Sequence, residues 1–177
     1  MSYSVIRTHE ICAGHRVVGH ESKCRHLHGH NYKFHFKVAP LATKAINTDA
    51  GSHIVEPGLD NVGRVIDFSV VKSTLCEWLE KNWDHKFLHW EHDKLIEGLV
   101  RLVHDEENLP ANQRCVQDKD ETHFLNSLVE LPFNPTAENL AAYMVEVIGP
   151  DLLGPYGVEL VECRIEETSK CHVEYTK

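Results

Sequence analysis

One cysteine and three histidines lie within seven residues of the segment CRHLHGHNY (24–32). His28 and His30 are two residues apart, so their side chains share one side of a β-strand. Two imidazoles on one face can begin a zinc site, and a catalytic zinc site needs only a third protein ligand. His15, in the segment AGHR, ends a predicted strand that we expect to pair with this one. The spacing therefore predicts a metal site at His15, His28 and His30.

A histidine-bearing polar strand without a metal is the plainer interpretation of an H-x-H pattern. It is disfavoured here because His28 and His30 continue the apolar face of Tyr32, Phe34 and Phe36, where unpaired polar groups are costly. Cys24 lies before this strand, on a predicted loop. It has the chemistry of a zinc ligand, but also that of a proton carrier or nucleophile, because a nearby cation lowers the pKa of a thiol.

Three further residues have types and positions that suit chemistry. Asp84 precedes His85, and a carboxylate can orient an imidazole and tune its proton affinity, although a solvated loop pair is the plainer interpretation. Glu167 continues the apolar face of a predicted strand, where a carboxylate needs partners. Its two oxygens suit the N–H edge of a guanidine-like heterocycle. Glu138 is explained by the dipole of a predicted helix.

The hydrophobic periodicity predicts five strands and three helices. The strands cover 3–15, 28–38, 64–68, 157–167 and 171–175, and the helices cover 69–81, 93–104 and 134–149. Ser69 and Thr136 are the predicted N-caps of the first and last helix. Polar segments at 41–63 and 105–123 are predicted as a loop or loose hairpin and as a long loop. This order indicates an α+β fold with helices on one face of an antiparallel sheet.

Composition excludes several classes of function. The formal net charge of −9 disfavours nucleic acid and anionic membranes as partners, because phosphate contacts need clustered Lys and Arg. The sequence contains neither an apolar run of membrane-spanning length nor the pattern of a signal peptide, so a cytoplasmic location is expected. The six cysteines are dispersed without a C-x-x-C pair, which favours free thiols.

Six segments occur in the order of one known family: AGHR, CRHLHGHNY, VIDFSVVK, WDHKFL, NPTAENLA and RIEETSKC. The chain thus resembles the 6-pyruvoyl-tetrahydropterin synthase / 6-carboxy-tetrahydropterin synthase family. The resemblance implies a T-fold (tunnelling fold), with a four-stranded antiparallel sheet and two helices on one face. It also implies trimers that pair into hexamers, with active sites between subunits. His26 matches no role and is interpreted as a loop residue.

The resemblance also implies the roles of individual residues. Zn²⁺ is bound by the three histidines, Cys24 is the catalytic cysteine, and Asp84 with His85 forms the proton relay. Glu167 anchors the pterin, and Thr136 lies in a segment that reaches the pterin pocket from a neighbouring subunit. Arg16, Lys23 and Arg25 are candidate contacts to a triphosphate. Against the family pattern, the single domain 1–177 carries predicted insertions at about 41–63 and 89–131.

The Cys-x-x-x-His-Gly-His spacing is most similar to the 6-carboxy-5,6,7,8-tetrahydropterin synthases of queuosine and other 7-deazaguanine pathways. The expected function is a zinc-dependent lyase that converts 7,8-dihydroneopterin triphosphate to 6-carboxytetrahydropterin, acetaldehyde and triphosphate. One alternative is a 6-pyruvoyl-tetrahydropterin synthase, which eliminates triphosphate and keeps the side chain. Another is a non-catalytic relative that binds zinc or pterin.

Overall fold

The computed structural model describes residues 3–41, 46–48, 51–53, 58–60, 62–105, 109–114 and 123–177. Its strands are β1 (Val5–His15), β2 (His28–Pro40), β3 (Ile46–Thr48), β4 (Gly51–His53), β5 (Phe87–Trp90), β6 (Leu128–Leu131), β7 (Val158–Thr168) and β8 (Cys171–Thr176). Short 3₁₀ turns lie at Lys23–Arg25, Ala111–Gln113 and Gly154–Tyr156.

Three longer helices lie among the described residues, and residues 123–126 are also helical. Helix α1 (68–82) and helix α3 (137–153) each contain a central π-helical turn, and α2 is a regular helix (Lys94–Asp105). The parts of α1 are Phe68–Val71, Lys72–Cys76 and Glu77–Asn82, and those of α3 are Ala137–Tyr143, Met144–Ile148 and Gly149–Leu153. None of the described helices is long and apolar enough to cross a membrane.

The main sheet has the strand order β6-β5-β1-β2-β7-β8. Its four long strands β1, β2, β7 and β8 pair antiparallel, and these are the four strands of the predicted sheet. Two short strands extend the sheet, because β5 runs parallel to β1 and β6 runs parallel to β5. The α+β prediction is confirmed. The segment 89–131, predicted as an insertion, leaves the sheet within β5 and returns through β6.

One face of β2 forms the centre of the core. Its inward residues Tyr32, Phe34, Phe36 and Val38 are fully buried, as the alternation predicts. Apolar residues of β7, α1 and α3 pack in the same cluster, so both helices lie against this face. The residues that these elements contribute are Val71, Leu75, Leu79, Leu140, Met144, Ile148, Leu160, Cys163 and Ile165.

Two sequence predictions near α1 are wrong. Residues 64–68 form no strand but lead into the helix. The N-cap is Asp67, whose carboxylate accepts hydrogen bonds from the Ser69 backbone N–H at 2.8 Å and from its hydroxyl at 2.6 Å. Arg64 holds the Asp67 carboxylate from the other side at 2.6 Å. An aspartate capping a helix terminus therefore overrides the short β-like apolar pattern.

A β-bulge in β7 changes which of its residues face the core, so part of the predicted inner face is wrong. Lys37 pairs with Glu162 but Val38 pairs with Leu160, so Val161 is the extra residue. Cys163 and Ile165 lie on the core side as predicted, whereas Val158 and Leu160 replace Val161 there. The hairpin β3–β4 lies within the segment 41–63, and the rest of 42–57 lies outside the described residues. Of the predicted loop 105–123, residues 106–108 and 115–122 also lie outside them.

Replacing Phe34 by Ala should reduce the free energy of unfolding by about 3–5 kcal/mol, because it opens a cavity in the core. Ile6→Ala is the matched control on the neighbouring strand, since Ile6 is 59% exposed. Its change should stay within about 0.5 kcal/mol of zero. Denaturant unfolding followed by circular dichroism measures both. Equal losses for the two variants would contradict this position of the core.

Candidate active site

The three predicted metal ligands meet because of the pairing between β1 and β2. His15 lies directly opposite His28, and Ala13 lies opposite His30, so all three imidazoles project from one side of two adjacent strands. The ring centroids are 4.5 Å apart for His15–His28, 5.2 Å for His15–His30 and 5.0 Å for His28–His30. One ligand atom from each residue lies within 4.8 Å of the others. The predicted grouping is therefore present.

Backbone carbonyls fix how two of these rings carry their protons. His15 Nδ1 is 2.7 Å from the Pro135 carbonyl oxygen, and His28 Nδ1 is 2.8 Å from that of His26. A carbonyl only accepts, so each Nδ1 must carry the hydrogen. In the neutral rings both Nε2 atoms are then unprotonated, and they face each other at 3.1 Å. Two lone pairs at this distance need a cation between them, so the donor set fits a metal ion.

Burial keeps these rings in the form that can bind a metal. His15 is only 1% exposed, and burial lowers its pKa to about 4, with smaller effects from the Pro135 hydrogen bond and from the other two histidines. Burial is also the main cause that lowers the pKa of His30. Both imidazoles are therefore neutral near pH 7, and a neutral imidazole is the form that ligates metals.

Tyr32 and Gly14 help to position the triad. The Tyr32 ring lies edge-on to His15 at 5.7 Å and to His30 at 5.4 Å between centroids. Burial raises the pKa of its hydroxyl, so it stays a neutral phenol. On the opposite sheet face, a Cβ at Gly14 would meet the Phe87 ring at 2.6 Å. Only glycine therefore lets β5 approach β1 beside His15.

A cavity of about 410 Å³ opens beside the triad and collects most of the other predicted residues. His15, Cys24, Thr136 and Glu167 all line it. Thr136 is also the N-cap of α3, as predicted, and its hydroxyl accepts from the Asn139 N–H at 3.3 Å. The expectation placed Thr136 in a neighbour's pocket, whereas here it lines the pocket of its own chain. The preceding Pro135 carbonyl orients His15, so one segment shapes both the cavity and the metal ligands.

A second β-bulge places Glu167 at the cavity. On β8, His172 pairs with Glu166 and Cys171 pairs with Thr168, so Glu167 is the unpaired residue between them. Such a bulge re-aims a side chain at the end of a strand. The carboxylate is half-buried in a cavity that Glu138 also lines and that neither lysine nor arginine of the described residues lines, which suits an acceptor for a heterocycle with several N–H groups.

Asp84 and His85 do not join this cavity. His85 lines a separate groove with Cys12, Asn31 and Phe87, and His30 of the triad also borders this groove. Asp84 accepts from the Cys12 backbone N–H at 2.8 Å and lies 3.0 Å from His85 Nδ1. Burial alone would raise the pKa of the Asp84 carboxyl, but these hydrogen bonds outweigh it and lower the pKa.

The His85 imidazole is 82% exposed and is held by Asp84 alone among the described side chains. His85 has φ of 55°, the left-handed region that non-glycine residues rarely adopt. Strained backbone of this kind concentrates at functional sites. The pair is thus built as an oriented acid–base group, but on a surface away from the Cys24 of its own chain.

Arg16, a candidate triphosphate contact in the sequence, forms an ion pair with Asp93 in the structure. Its Nε lies 3.1 Å from the Asp93 Oδ2, and Asp93 is 2% exposed. The other Asp93 oxygen accepts from the Leu95 backbone N–H at 3.0 Å, at the start of α2. Removing either member of a nearly buried ion pair leaves an uncompensated charge, so Arg16 is committed to this contact. It joins the inserted helix to the residue that follows His15.

Three residues of the cavity were missed by sequence reasoning. His20, Cys171 and His172 all line it beside the predicted residues. His20 lies in the loop between β1 and β2, where no periodicity signals its direction. Cys171 and His172 begin the last strand and reach the cavity through the bulge at Glu167. Cys171 ends the segment RIEETSKC, and His172 is the next residue along the strand predicted at 171–175.

Comparisons with known proteins agree with this geometry. The sequence model of the family described as 6-pyruvoyl tetrahydropterin synthase matches residues 4–177. A protein of Rickettsia bellii named 6-carboxy-5,6,7,8-tetrahydropterin synthase is 30% identical over 165 residues, covering 93% of this chain and 94% of its own. The protein of the same name from Rickettsia felis is 28% identical over the same shares.

Solved structures share the fold at lower identity. An uncharacterised protein of Wolinella succinogenes superposes with a TM-score of 0.75 at 21% identity, covering 100% of this chain and 99% of the other. The 6-pyruvoyl tetrahydropterin synthase of Caenorhabditis elegans gives 0.55 at 21% identity, with 100% and 96% covered. That of Plasmodium vivax gives 0.61 at 13% identity, with 100% and 98% covered. The chain therefore has the T-fold of these synthases.

His28→Ala should lose the bound metal, because the remaining two imidazoles leave an incomplete ligand set. His26→Ala is the matched control, since His26 contributes its backbone carbonyl, which alanine retains. Metal analysis of the purified proteins by mass spectrometry should find near-stoichiometric metal in wild type and His26→Ala and little in His28→Ala. Full occupancy in His28→Ala would disprove the ligand assignment.

Proposed function

We propose that this chain, which belongs to the 6-pyruvoyl tetrahydropterin synthase family, is a zinc-dependent 6-carboxy-5,6,7,8-tetrahydropterin synthase. It converts 7,8-dihydroneopterin triphosphate and one water molecule to 6-carboxy-5,6,7,8-tetrahydropterin, acetaldehyde and triphosphate, as a step of queuosine or related 7-deazaguanine biosynthesis. One observation carries the proposal: a His triad that could hold a metal ion reaches, through His15, the cavity that Cys24 and Glu167 line. The relatives named for this activity match over nearly their whole length.

The metal is proposed to be Zn²⁺, held by His15, His28 and His30. Two nitrogen ligands of one tetrahedral zinc ion stand roughly 3.3 Å apart, given Zn–N bonds of about 2.0–2.1 Å. The 3.1 Å between the His15 and His28 Nε2 atoms is close to this separation. Bound there, Zn²⁺ supplies Lewis-acid polarisation of the oxygens on the substrate side chain. The protein contributes three imidazoles, and backbone carbonyls already hold the outer nitrogens of His15 and His28.

Glu167 is proposed to bind the pterin. The carboxylate can accept two N–H groups from the guanidine-like edge of the ring, and its bulge aims it into the cavity. Thr136 lines the same cavity and contributes a hydroxyl. When the pterin ring is bound at this point, the substrate side chain extends toward the His triad and Cys24. A pterin orientation fixed at one end reduces the motion of the reacting carbons.

Cys24 is proposed to move protons on the substrate side chain. It is half-buried, lines the cavity and lies on the turn between β1 and β2 that is closed by the Val17 N–H donating to its carbonyl at 2.7 Å. A positive charge at the triad would favour its thiolate form. As a thiolate it takes a proton from a carbon beside the polarised oxygen and returns it to a neighbouring atom.

Asp84 and His85 are proposed to supply the second acid–base group to the site of a neighbouring subunit. Their groove is separate from the cavity that Cys24 lines, so one chain does not bring the three residues together. The resemblance implies trimers that pair into hexamers with active sites between subunits. An exposed imidazole oriented by Asp84 at 3.0 Å is suited to reach such a partner site.

Two alternatives remain distinct in their products. A 6-pyruvoyl-tetrahydropterin synthase would share the elimination of triphosphate but would release no acetaldehyde. A non-catalytic relative would bind zinc or a pterin and turn over no dihydropterin. The Caenorhabditis elegans neighbour carries the pyruvoyl name, although at 21% identity that likeness concerns the fold.

Wild-type protein should release acetaldehyde and 6-carboxytetrahydropterin from 7,8-dihydroneopterin triphosphate. Cys24→Ala should lower kcat by at least about 100-fold while the metal stays bound, because the proton carrier is lost. Cys171→Ala is the matched control, since this thiol also lines the cavity but has no assigned role. Product analysis by liquid chromatography and metal analysis measure both. Unchanged turnover in Cys24→Ala would refute the mechanism, and a 6-pyruvoyl product without acetaldehyde would support the alternative.

Activity should return when Cys24→Ala and His85→Ala subunits are assembled together. If each site takes Cys24 from one subunit and His85 from another, about a quarter of the sites in randomly mixed oligomers are intact. Co-expression with two different tags gives the mixed oligomers, and each variant purified alone is the control. Mixed oligomers no more active than the separate variants would place both groups in one subunit or remove His85 from the mechanism.

A further inference from the structure

We propose that His20 is a hydrogen-bond donor to the triphosphate of the substrate and thereby helps to discriminate phosphorylated from unphosphorylated pterins. The proposal rests on the function proposed above, and no part of the resemblance assigns a role to His20. It concerns the loop 16–27, which joins the metal ligand His15 to the strand with His28 and His30.

A tight turn brings His20 to the cavity. The His20 N–H donates to the Val17 carbonyl at 3.3 Å, and Gly19 between them has φ of +84°. This is the conformation that a β-turn with glycine at its third position requires. The Val17 N–H in turn donates to the Cys24 carbonyl at 2.7 Å, so the loop closes on itself. His20 and Cys24 consequently line the same cavity.

The hydrogen bonding of the ring makes His20 a donor to whatever occupies the cavity. The Ser22 backbone N–H donates to His20 Nδ1 at 2.9 Å. A backbone N–H can only donate, so Nδ1 is the acceptor and the neutral ring carries its hydrogen on Nε2. No hydrogen bond from Nε2 to another described residue is present. The free N–H therefore suits an anionic oxygen of the ligand.

Few side chains on the cavity wall can bind the negatively charged triphosphate. Among the described residues, neither lysine nor arginine lines it, and Glu138 and Glu167 do. Besides His15 of the metal triad, His20 and His172 are the ring nitrogens on its wall. His172 follows the bulge at Glu167 and lies 3.7 Å from Glu174, so it belongs to the pterin end.

The cations nearest in sequence are on the same loop as His20. Lys23 and Arg25 flank Cys24 on an exposed 3₁₀ turn, and neither forms an ion pair with any part of the chain that the structure describes. Arg16 is held by Asp93 instead. The triphosphate end of the substrate is thus placed toward this loop, with His20 as the contact within the cavity and Lys23 and Arg25 at its rim.

Binding measured in a Cys24→Ala background tests the proposal, because the ligand is then not consumed. The two ligands are 7,8-dihydroneopterin triphosphate and unphosphorylated 7,8-dihydroneopterin, and calorimetry gives each Kd. Adding His20→Ala should weaken binding of the triphosphate ester roughly 10-fold or more, since a hydrogen bond to a charged group is lost. Binding of the unphosphorylated pterin should not change.

Two further variants separate a donor from a structural role. His20→Gln keeps a side-chain N–H near Nε2 and should recover most of the lost affinity, whereas His26→Ala, on the same loop, should change neither Kd. Equal weakening of both ligands by His20→Ala, or no weakening of either, would overturn the proposal. If the Cys24→Ala protein retains its metal and binds neither ligand, the proposed pterin function itself fails. Normal binding of the unphosphorylated pterin with an unchanged triphosphate Kd refutes only the role of His20.

Discussion

The register between β1 and β2 is the constraint on which the rest of the site depends. It sets His15 directly opposite His28 and leaves His30 two pairs further along. A slip of one residue would turn His15 to the other sheet face, because successive side chains of a strand alternate. The glycines at the intervening pair permit this register, since a Cβ at Gly29 would approach the Ala13 carbonyl oxygen at 2.9 Å. The grouping of the three imidazoles is therefore a property of the strand pairing.

One face of β2 carries both two candidate metal ligands and the centre of the hydrophobic core. At one end its side chains are two of the candidate metal ligands, and from Tyr32 onward they form the fully buried aromatic centre of the core. Helix α3 links the two functions, because its stripe packs on this core while Pro135 and Thr136 before its first turn contact His15 and the cavity. A change in the packing of α3 would thus be transmitted to the metal ligands and the substrate pocket together.

The remaining chemistry is divided between the cavity and a second groove. The cavity is lined by His15, Cys24 and Glu167, whereas the Asp84–His85 pair lies beside β5 at a second groove, which His30 also lines. This division is what the proposed pairing of Cys24 with His85 of a neighbouring subunit requires. The inserted segment is not separate from the site either, because buried Asp93 at the start of α2 binds Arg16 next to His15. Loss of that pair would disturb the loop that carries Cys24.

The sequence by itself determined the features that depend on local periodicity. Alternation along 28–38 placed His28 and His30 on the buried face, and the spacing and cap of 134–149 specified α3 with Thr136 at its start. The tertiary structure alone decided the features that need a distant partner. These are the short parallel strands β5 and β6, the bulges at Val161 and Glu167, and the turning of His20 and His172 into one cavity. Four-residue strands and bulges leave no periodic signal, because their geometry is set by hydrogen bonds to strands far away in the chain.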